Sequence, residues 1–376
     1  MLQRKQLVFI IVFVSLSFNL FSQNKYALLV GICDYYEVKG VKSNDVSLSG
    51  CVNDADSIKK LLITKFGFNN TNIKTVYNED ATRDNIIAGM KQVLQVCKPG
   101  DAFVFFYSGH GVWMNNSQNL KDSVKHGFNQ AMLTSDLYNF KDNFKCFFRD
   151  TTLKKYFNLF IDKKVILTAL LDCCYSGSMD MASNNTNDLP SAQNKSVDLD
   201  HLMYILTKNA NDPQKLIDSI SGVSANNSSD NSFNSLLHNT LNNYDSVELV
   251  RNKSALFAQR IVISDNDKIV RPVTRQNSKY LFISAATDMQ EGQDIPDKNK
   301  NYHGLFTNSI ISVFNQNPAS ITVDEVFNKI NLEMKSYIQD NKKNVNGLHD
   351  QNPQKHLDPS RNKTNLFGVK LTATLR

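Results

Sequence analysis

Two short stretches end apolar runs in groups that can do chemistry. "LLDCCYSGS" (residues 170–178) passes into Asp172, the adjacent thiols Cys173 and Cys174, and a turn of small residues. "FVFFYSGHG" (103–111) delivers Ser108, His110 and Gly111. A cysteine attacks as its thiolate, so it needs a base that takes its proton and later returns it to the leaving group. A histidine supplies that base. If the two apolar runs are neighbouring strands, imidazole and thiol face each other across a glycine-lined gap. The spacing alone leaves open which thiol attacks.

Taken singly, neither residue says much: a histidine is most often surface or core decoration, and a buried cysteine a small apolar side chain. Their joint placement, each directly after an apolar run and before small residues, carries the weight. In an open α/β sheet, ligands gather beyond the carboxyl ends of the strands. The elements that would build such a sheet are present. "KYALLVGI" (25–32), "IKTVY" (73–77), "DAFVFFY" (101–107), "KVILTALL" (164–171) and "KYLFISAA" (279–286) read as strands. Their near-continuous apolarity predicts a parallel sheet covered on both faces. Between them, "DADSIKKLLITKF", "RDNIIAGMKQVLQVC" and "DTTLKKYFNLFI" carry apolar residues at helical spacing. "TVDEVFNKINLEMKSYI" opens with Thr322 and has Glu325 three residues on, the pattern of a capping box. Alternating strands and helices predict an α/β fold, a three-layer sandwich around a mostly parallel sheet.

Residues 183–278 break the rhythm. "SNNTNDLPSAQNKS" and "SANNSSDNSFNSLLHNTLNNY" are dominated by Asn and Ser, a composition that buries little apolar surface. They read as a partly ordered insertion between two halves of one domain, 23–182 and 279–376. Residues 1–22 have a basic start at Arg4 and Lys5 and an apolar run from Leu7 to about Phe21. That is the layout of a secretory signal peptide, too short for a comfortable membrane span. It predicts a secreted or periplasmic protein with no stable membrane span after its removal; an uncleaved N-terminal anchor is the alternative.

The 376-residue chain has a formal charge of +6, which becomes +4 once Arg4 and Lys5 leave with residues 1–22, where there is no acid. The basic residues are scattered and no aromatics alternate with them, which excludes a nucleic-acid platform. The six cysteines show no disulfide framework and no C-x-x-C zinc spacing.

"YSGHG" together with "DCCYSG" resembles the caspase-like cysteine peptidases, specifically the metacaspase and bacterial orthocaspase branch of family C14. "KYALLVGI" followed by "LSGCVNDA" (48–55) is similar to that family's first strand and loop. "FISAATDMQEGQD" and "HGLFTNSII" are similar to its late strand and helix. The resemblance implies a caspase-like sheet, with His110 as general base and acid and Cys174 as nucleophile. The N–H groups of Gly111 and Cys174 would form the oxyanion hole. Cys51, Asp54, Ser108 and Asp172 would surround the pocket for the residue before the cut. Two carboxylates in a narrow slot are costly to desolvate unless a cation enters, so such a pocket selects Arg or Lys. Tyr175 stands where metacaspases often have histidine. No cofactor is required on this resemblance, with calcium an option: Asp136, Asp150 and Asp180 fall in the regions of the family's acidic cluster, but Thr151 stands where a second acid is common.

The expectation is an exported endopeptidase that cuts peptides or proteins after Arg or Lys and processes its own insertion at one of Lys195, Lys208, Lys253, Arg260 or Arg271. A catalytically silent peptide-binding module, or hydrolysis of a non-peptide amide, are the rival readings.

Overall fold

The computed structural model describes residues 23–115, 128–141, 145–173, 190–197, 279–287 and 290–371. A six-stranded sheet runs through the centre. Its strands are β1 (Lys25–Gly31), β4 (Ile73–Tyr77), β5 (Ala102–Ser108), β9 (Ile166–Asp172), β11 (Tyr280–Ser284) and β14 (Gln354–Leu357), in the spatial order β14-β11-β9-β5-β1-β4. All neighbours are parallel except β14, which runs antiparallel on the outer edge of β11. The parallel sheet agrees with the sequence reading, and every anticipated strand forms within two residues of its expected ends.

Alternation of side chains along each strand divides the core in two. Leu28, Val30, Phe103, Phe105, Tyr107, Leu167 and Ala169 face one side. There they meet α2 (Arg83–Val96) through Ile86, Met90 and Val93, and α3 (Asp150–Asp162) through Leu153, Phe157 and Phe160. Ala27, Leu29, Val104, Phe106, Leu170, Leu281 and Ile283 face the other side. That side is covered by α1 (Cys51–Phe66), α4 (Leu305–Gln316) and α5 (Val323–Asn341). The result is the anticipated three-layer sandwich. The α5 capping box forms as read: Glu325 N–H donates to Thr322 Oγ1 at 3.3 Å, and Thr322 N–H donates to the Glu325 carboxylate at 2.8 Å.

Several small sheets were not anticipated. β2 (Tyr36–Val38) and β3 (Val41–Lys42) make a hairpin, and β6 (Gly111–Asn115), β7 (Phe128–Leu133) and β8 (Phe147–Arg149) make an antiparallel sheet beyond β5. A third unites β10 (Gln193–Asn194) with β12 (Gln293–Pro296) and β13 (Tyr302–Gly304). It places residues 190–197, counted in the sequence reading with a partly ordered insertion, against the body of the domain. The rest of 183–278 and all of 1–22 lie outside the described residues, and among the described ones no helix is long and apolar enough to cross a membrane.

Candidate functional site

β5 and β9 are neighbours, and their register pairs Ser108 with Asp172. The two reactive strand ends therefore lie side by side, as the sequence required. Beyond Ser108 the chain turns through Gly109, whose N–H donates to the Asp172 carbonyl at 3.4 Å, and presents His110.

His110 is pinned from several sides. Its N–H donates to the Tyr35 hydroxyl at 2.7 Å, and its carbonyl accepts from Leu133 N–H at 3.0 Å. The Tyr107 hydroxyl lies 2.8 Å from that same carbonyl, and the Tyr35 ring sits 5.0 Å from the imidazole. The ring's Nε2 is 2.8 Å from the Val46 carbonyl oxygen. A carbonyl can only accept, so Nε2 carries the hydrogen and Nδ1 holds the lone pair. Nδ1 has no hydrogen-bond partner among the described residues. Burial lowers the imidazole pKa to about 4, opposed in part by the hydrogen bond to the Val46 backbone. The ring is thus neutral at physiological pH, with Nδ1 free to take a proton.

Asp172 and Cys173 close the neighbouring strand. Cys173 is fully buried in the core on the α2/α3 side. Asp172, like Leu170 two residues before it, belongs to the opposite face. Cys174 and Tyr175 lie outside the described residues. None of the five described cysteines forms a disulfide.

On the α1/α4 side of this strand end is a closed pocket of carboxylates, and it is filled. The side chain of Lys195 enters it with no exposed surface. Its ammonium lies 2.9 Å from Asp54 Oδ2, 3.0 Å from Asp294 Oδ1 and 3.2 Å from Asp172 Oδ1, and donates to Ser108 Oγ at 2.8 Å. All three carboxylates are built alike. Each gives one oxygen to a backbone N–H and turns the other toward the cation. Asp294 Oδ2 accepts from Gly50 N–H at 2.7 Å, at the start of α1. Asp172 Oδ2 accepts from Thr307 N–H at 3.0 Å in the first turn of α4, and Asp54 Oδ1 from Gly304 N–H at 2.8 Å just before it. Neither helix has a side-chain cap of its own, because its N-cap residue is a glycine. Helix N-termini favour negative charge, so α1 and α4 hold the pocket acids in place while the acids satisfy orphan N–H groups.

Gly304 forms the floor. A Cβ there would come within 2.1 Å of Asp172 Oδ2 and 2.5 Å of Lys195 Nζ, so only glycine leaves room for the pair. Its φ of −60° is ordinary, and the requirement is purely steric.

Burial alone would discharge the lysine, but the three carboxylates overcome that and hold its pKa well above the usual lysine value. Burial also pushes the acids up. For Asp172 it prevails: the Lys195 charge opposes it, repulsion from Asp54 and Asp294 adds to it, and the pKa is raised to about 6. Asp294 is raised for the same reasons. In Asp54 the balance reverses, because Lys195 and hydrogen bonds from His303 and Ser108 outweigh burial.

The structure brings Asp54, Ser108 and Asp172 together around one pocket, with Cys51 fully buried at its wall, Sγ 4.0 Å from Asp294 Oδ2. The sequence reading did not single out Asp294. The signal was an acid in the otherwise uncharged "GQDIP", within a motif already noted for its resemblance. Gly111 N–H donates at 3.0 Å to the carbonyl oxygen of Lys195, the residue whose side chain fills the pocket.

Of the acids considered for calcium, only the side chain of Asp136 is described. Asp136 is buried, its carboxylate accepting from Thr134 Oγ1 at 2.7 Å and from Asn139 Nδ2 at 2.6 Å. Among the described residues no group of His, Cys, Asp or Glu is arranged to hold a metal ion. The side chain of Asp150 and all of Asp180 lie outside them.

Comparison with known proteins follows the same line. The family profile "Metacaspase, peptidase C14 domain" matches residues 25–182. Metacaspase-1 of Plasmodium falciparum is 33% identical over 162 residues, 41% of this chain and 24% of that protein. Metacaspase-2 of Trypanosoma brucei brucei is 32% identical over 167 residues, 42% of this chain and 43% of that protein. The match therefore spans less than half of either relative. Among solved structures, the Geobacter sulfurreducens protein GSU0716 superposes with a TM-score of 0.53 at 18% identity, covering 93% of this chain and all of that one, a likeness of fold. The strand order, the paired ends of β5 and β9 and the profile match agree: residues 25–182 of this chain are similar to the metacaspase domain of peptidase family C14.

Proposed function

We propose that the protein is an exported cysteine endopeptidase that hydrolyses peptide bonds after Lys or Arg, and that it processes its own chain within residues 183–278. The observation that carries the specificity is the Lys195 ammonium enclosed by Asp54, Asp172, Asp294 and Ser108. A buried cluster of three carboxylates is strongly unfavourable without a cation. An aspartyl side chain entering it would meet like charge, and an apolar one would leave the acids unpaired.

In the reaction, the Cys174 thiol gives its proton to Nδ1 of His110 and adds to the carbonyl carbon. The oxyanion that develops is stabilised by the Gly111 N–H, a donor already in place and needing no reorganisation. His110 then protonates the departing amine, and water, deprotonated by the same imidazole, releases the acid product from the thioester. His110 suits this cycle because its Nε2–H is anchored on Val46 and its ring is uncharged at neutral pH. Export rests on the layout of residues 1–22.

The test is hydrolysis of matched lysyl, arginyl and aspartyl peptides by the wild type, Cys174→Ala and His110→Ala, alongside fractionation of the native host. Turnover of the basic peptides that is lost in both variants is expected. Efficient aspartyl cleavage, or equal activity in Cys174→Ala, would refute the reading. Binding of basic peptides without turnover would leave the silent-module alternative standing.

A further inference from the structure

Two thiols that the proposed reaction does not use meet where β1 ends and α1 begins. A Cβ on Gly31 would lie 2.6 Å from the Cys51 carbonyl oxygen, so only glycine lets the end of β1 come this close to the first residue of α1. Two residues further on, Cys33 is fixed through its backbone on both sides: its N–H donates to Asn78 Oδ1 at 2.9 Å, and its carbonyl accepts from Leu48 N–H at 2.8 Å. Its side chain is thereby held against the N-terminus of α1, where Sγ accepts from Val52 N–H at 3.4 Å. Cys51, the residue before Val52, is fully buried and turns its sulfur toward the acidic pocket, 4.0 Å from Asp294 Oδ2. Cys33 is partly exposed, and neither thiol is in a disulfide.

The pair is chemically unequal. The Cys51 side chain beside it lowers the Cys33 thiol pKa, and the Val52 N–H adds to this, against the opposing effects of burial and the Asp294 charge. A thiol at a helix N-terminus is the kind that reacts as thiolate. Burial, Cys33 and Asp294 together push the Cys51 thiol well above its usual value, with Lys195 opposing them. Cys97 and Cys146 are raised as well, chiefly by burial. One partner of the pair is thus accessible and ionised the more easily, and the other stands protonated behind it. Attacking and resolving thiols divide in this way. We propose that Cys33 and Cys51 form a redox-active pair that closes to a disulfide with a low-molecular-weight disulfide as oxidant, and that closing it weakens the hold of the adjacent pocket on basic side chains. The effect on substrates rests on the peptidase reading above; the pair itself does not.

The step balances with that reagent alone. The Cys33 thiol gives its proton to solvent and attacks the small disulfide, whose sulfur–sulfur bond breaks. The released thiolate takes a proton back from solvent, and Cys33 is left in a mixed disulfide. The Cys51 sulfur then attacks the Cys33 sulfur and displaces the second small thiol, which leaves with the Cys51 proton. The two cysteines lose two electrons and two protons, and the reagent gains them as two thiols. Closing removes the Cys51 S–H from Asp294 and draws the Cys51 sulfur toward Cys33, next to the Gly50 N–H that holds Asp294 Oδ2 at 2.7 Å. By reciprocity, a change at Asp294 shifts how readily the pair closes.

The experiment uses the full chain as Cys174→Ala, alone and combined with Cys33→Ser or with Asp294→Asn. Each is equilibrated over a series of reduced-to-oxidised glutathione ratios, quenched with iodoacetamide under denaturing conditions and mapped by peptide mass. Cys174→Ala should yield a linked pair of peptides joining Cys33 to Cys51, two hydrogens lighter than the separate peptides, while Cys97 and Cys146 are alkylated. Adding Cys33→Ser should leave Cys51 alkylated at every ratio. Adding Asp294→Asn should close the pair at an oxidised-glutathione level about 5-fold lower, the difference between a hydrogen bond to a charged acceptor and one to a neutral acceptor. A parallel series compares wild type with Cys33→Ser, active sites being counted with a lysyl acyloxymethyl ketone. Lysyl kcat/KM should fall about 5-fold as the pair closes in the wild type and hold steady in Cys33→Ser. No linked peptide at any ratio in Cys174→Ala overturns the pair. A midpoint unmoved by Asp294→Asn, or kcat/KM lost equally in wild type and Cys33→Ser, overturns its coupling to the pocket; if Asp294→Asn does not fold, the activity series decides. A chain that links Cys33 to Cys51 but hydrolyses no basic peptide overturns the peptidase reading and leaves the pair standing.

Discussion

Asp294 offers a sharp quantitative test, because the pocket's third acid was found only in the fold. In Asp294→Asn the amide oxygen can still accept from Gly50 N–H, which keeps the α1 N-terminus satisfied. The amide nitrogen then faces the cation where Oδ1 stood 3.0 Å from it. Breaking one partner of a buried, hydrogen-bonded charge pair costs about 2–5 kcal/mol. Two carboxylates and Ser108 remain around the ammonium, so the lower part of that range applies, about 2–3 kcal/mol. At 1.4 kcal/mol per factor of ten, kcat/KM for lysyl peptides should fall by about 30- to 150-fold. The assay is initial-rate hydrolysis by processed enzyme across a pH series, with active sites titrated by the ketone so that loss of folded protein is not counted as loss of rate. A second readout comes from Asp172, whose pKa of about 6 is raised in part by the Asp294 charge. Removing that charge should move the acid limb of the lysyl pH profile downward. Unchanged kcat/KM with an unmoved limb would refute the view that Asp294 grips the substrate cation.

Other outcomes follow from the same geometry. In the wild type, lysyl kcat/KM should decline as pH falls through about 6 or somewhat above. Protonating Asp172 removes the charge that draws the cation, and an empty pocket lacks the lysine that pulls that pKa down. Gly304→Ala should abolish turnover of basic peptides while the chain still folds with a cooperative melt, since its backbone is unstrained and the added carbon strikes only the pocket contents. Wild-type kcat/KM in that variant would show that the pocket lies elsewhere. Cys173→Ser should keep most of the activity but lower stability by about 1–3 kcal/mol, as expected for a hydroxyl replacing a fully buried thiol; a denaturant titration alongside the peptide assay separates the two effects.

How far the sequence foretold the site depended on where each residue's partners lie. Ser108, His110 and Asp172 end long apolar strands, and strand ends in a parallel sheet are a known place for chemistry, so a local pattern revealed them. Asp54 and Cys51 were legible only through resemblance, since in isolation an acid in the first turn of a helix has an ordinary role at the helix dipole. Asp294 sits in the four-residue strand β12, too short for any periodicity, and its meaning comes from Gly50, 244 positions away. The edge strand β14, "QKHL", is polar at all but Leu357 and reads as loop until it pairs with β11. Lys195 is the instructive failure. Its Asn- and Ser-rich surroundings correctly say that the segment cannot build a core of its own, but the segment finds its order on the surface of the domain, through backbone bonds that composition does not encode.

The pairing of β9 with β11 bears on how such a chain can change over evolutionary time. These adjacent strands bracket every residue from Cys173 to Lys279, so the sheet is closed across a gap whose length it does not sense. Loop-closure entropy grows only logarithmically, with each doubling of a long connection costing about 0.6 kcal/mol. Duplications, deletions and compositional drift in most of that stretch are therefore nearly neutral for the fold. The part not free to drift is the reach from the end of β9 to Lys195, which must span the distance from strand end to pocket. Related chains should thus vary widely in the length that follows the lysine and much less in the length that precedes it.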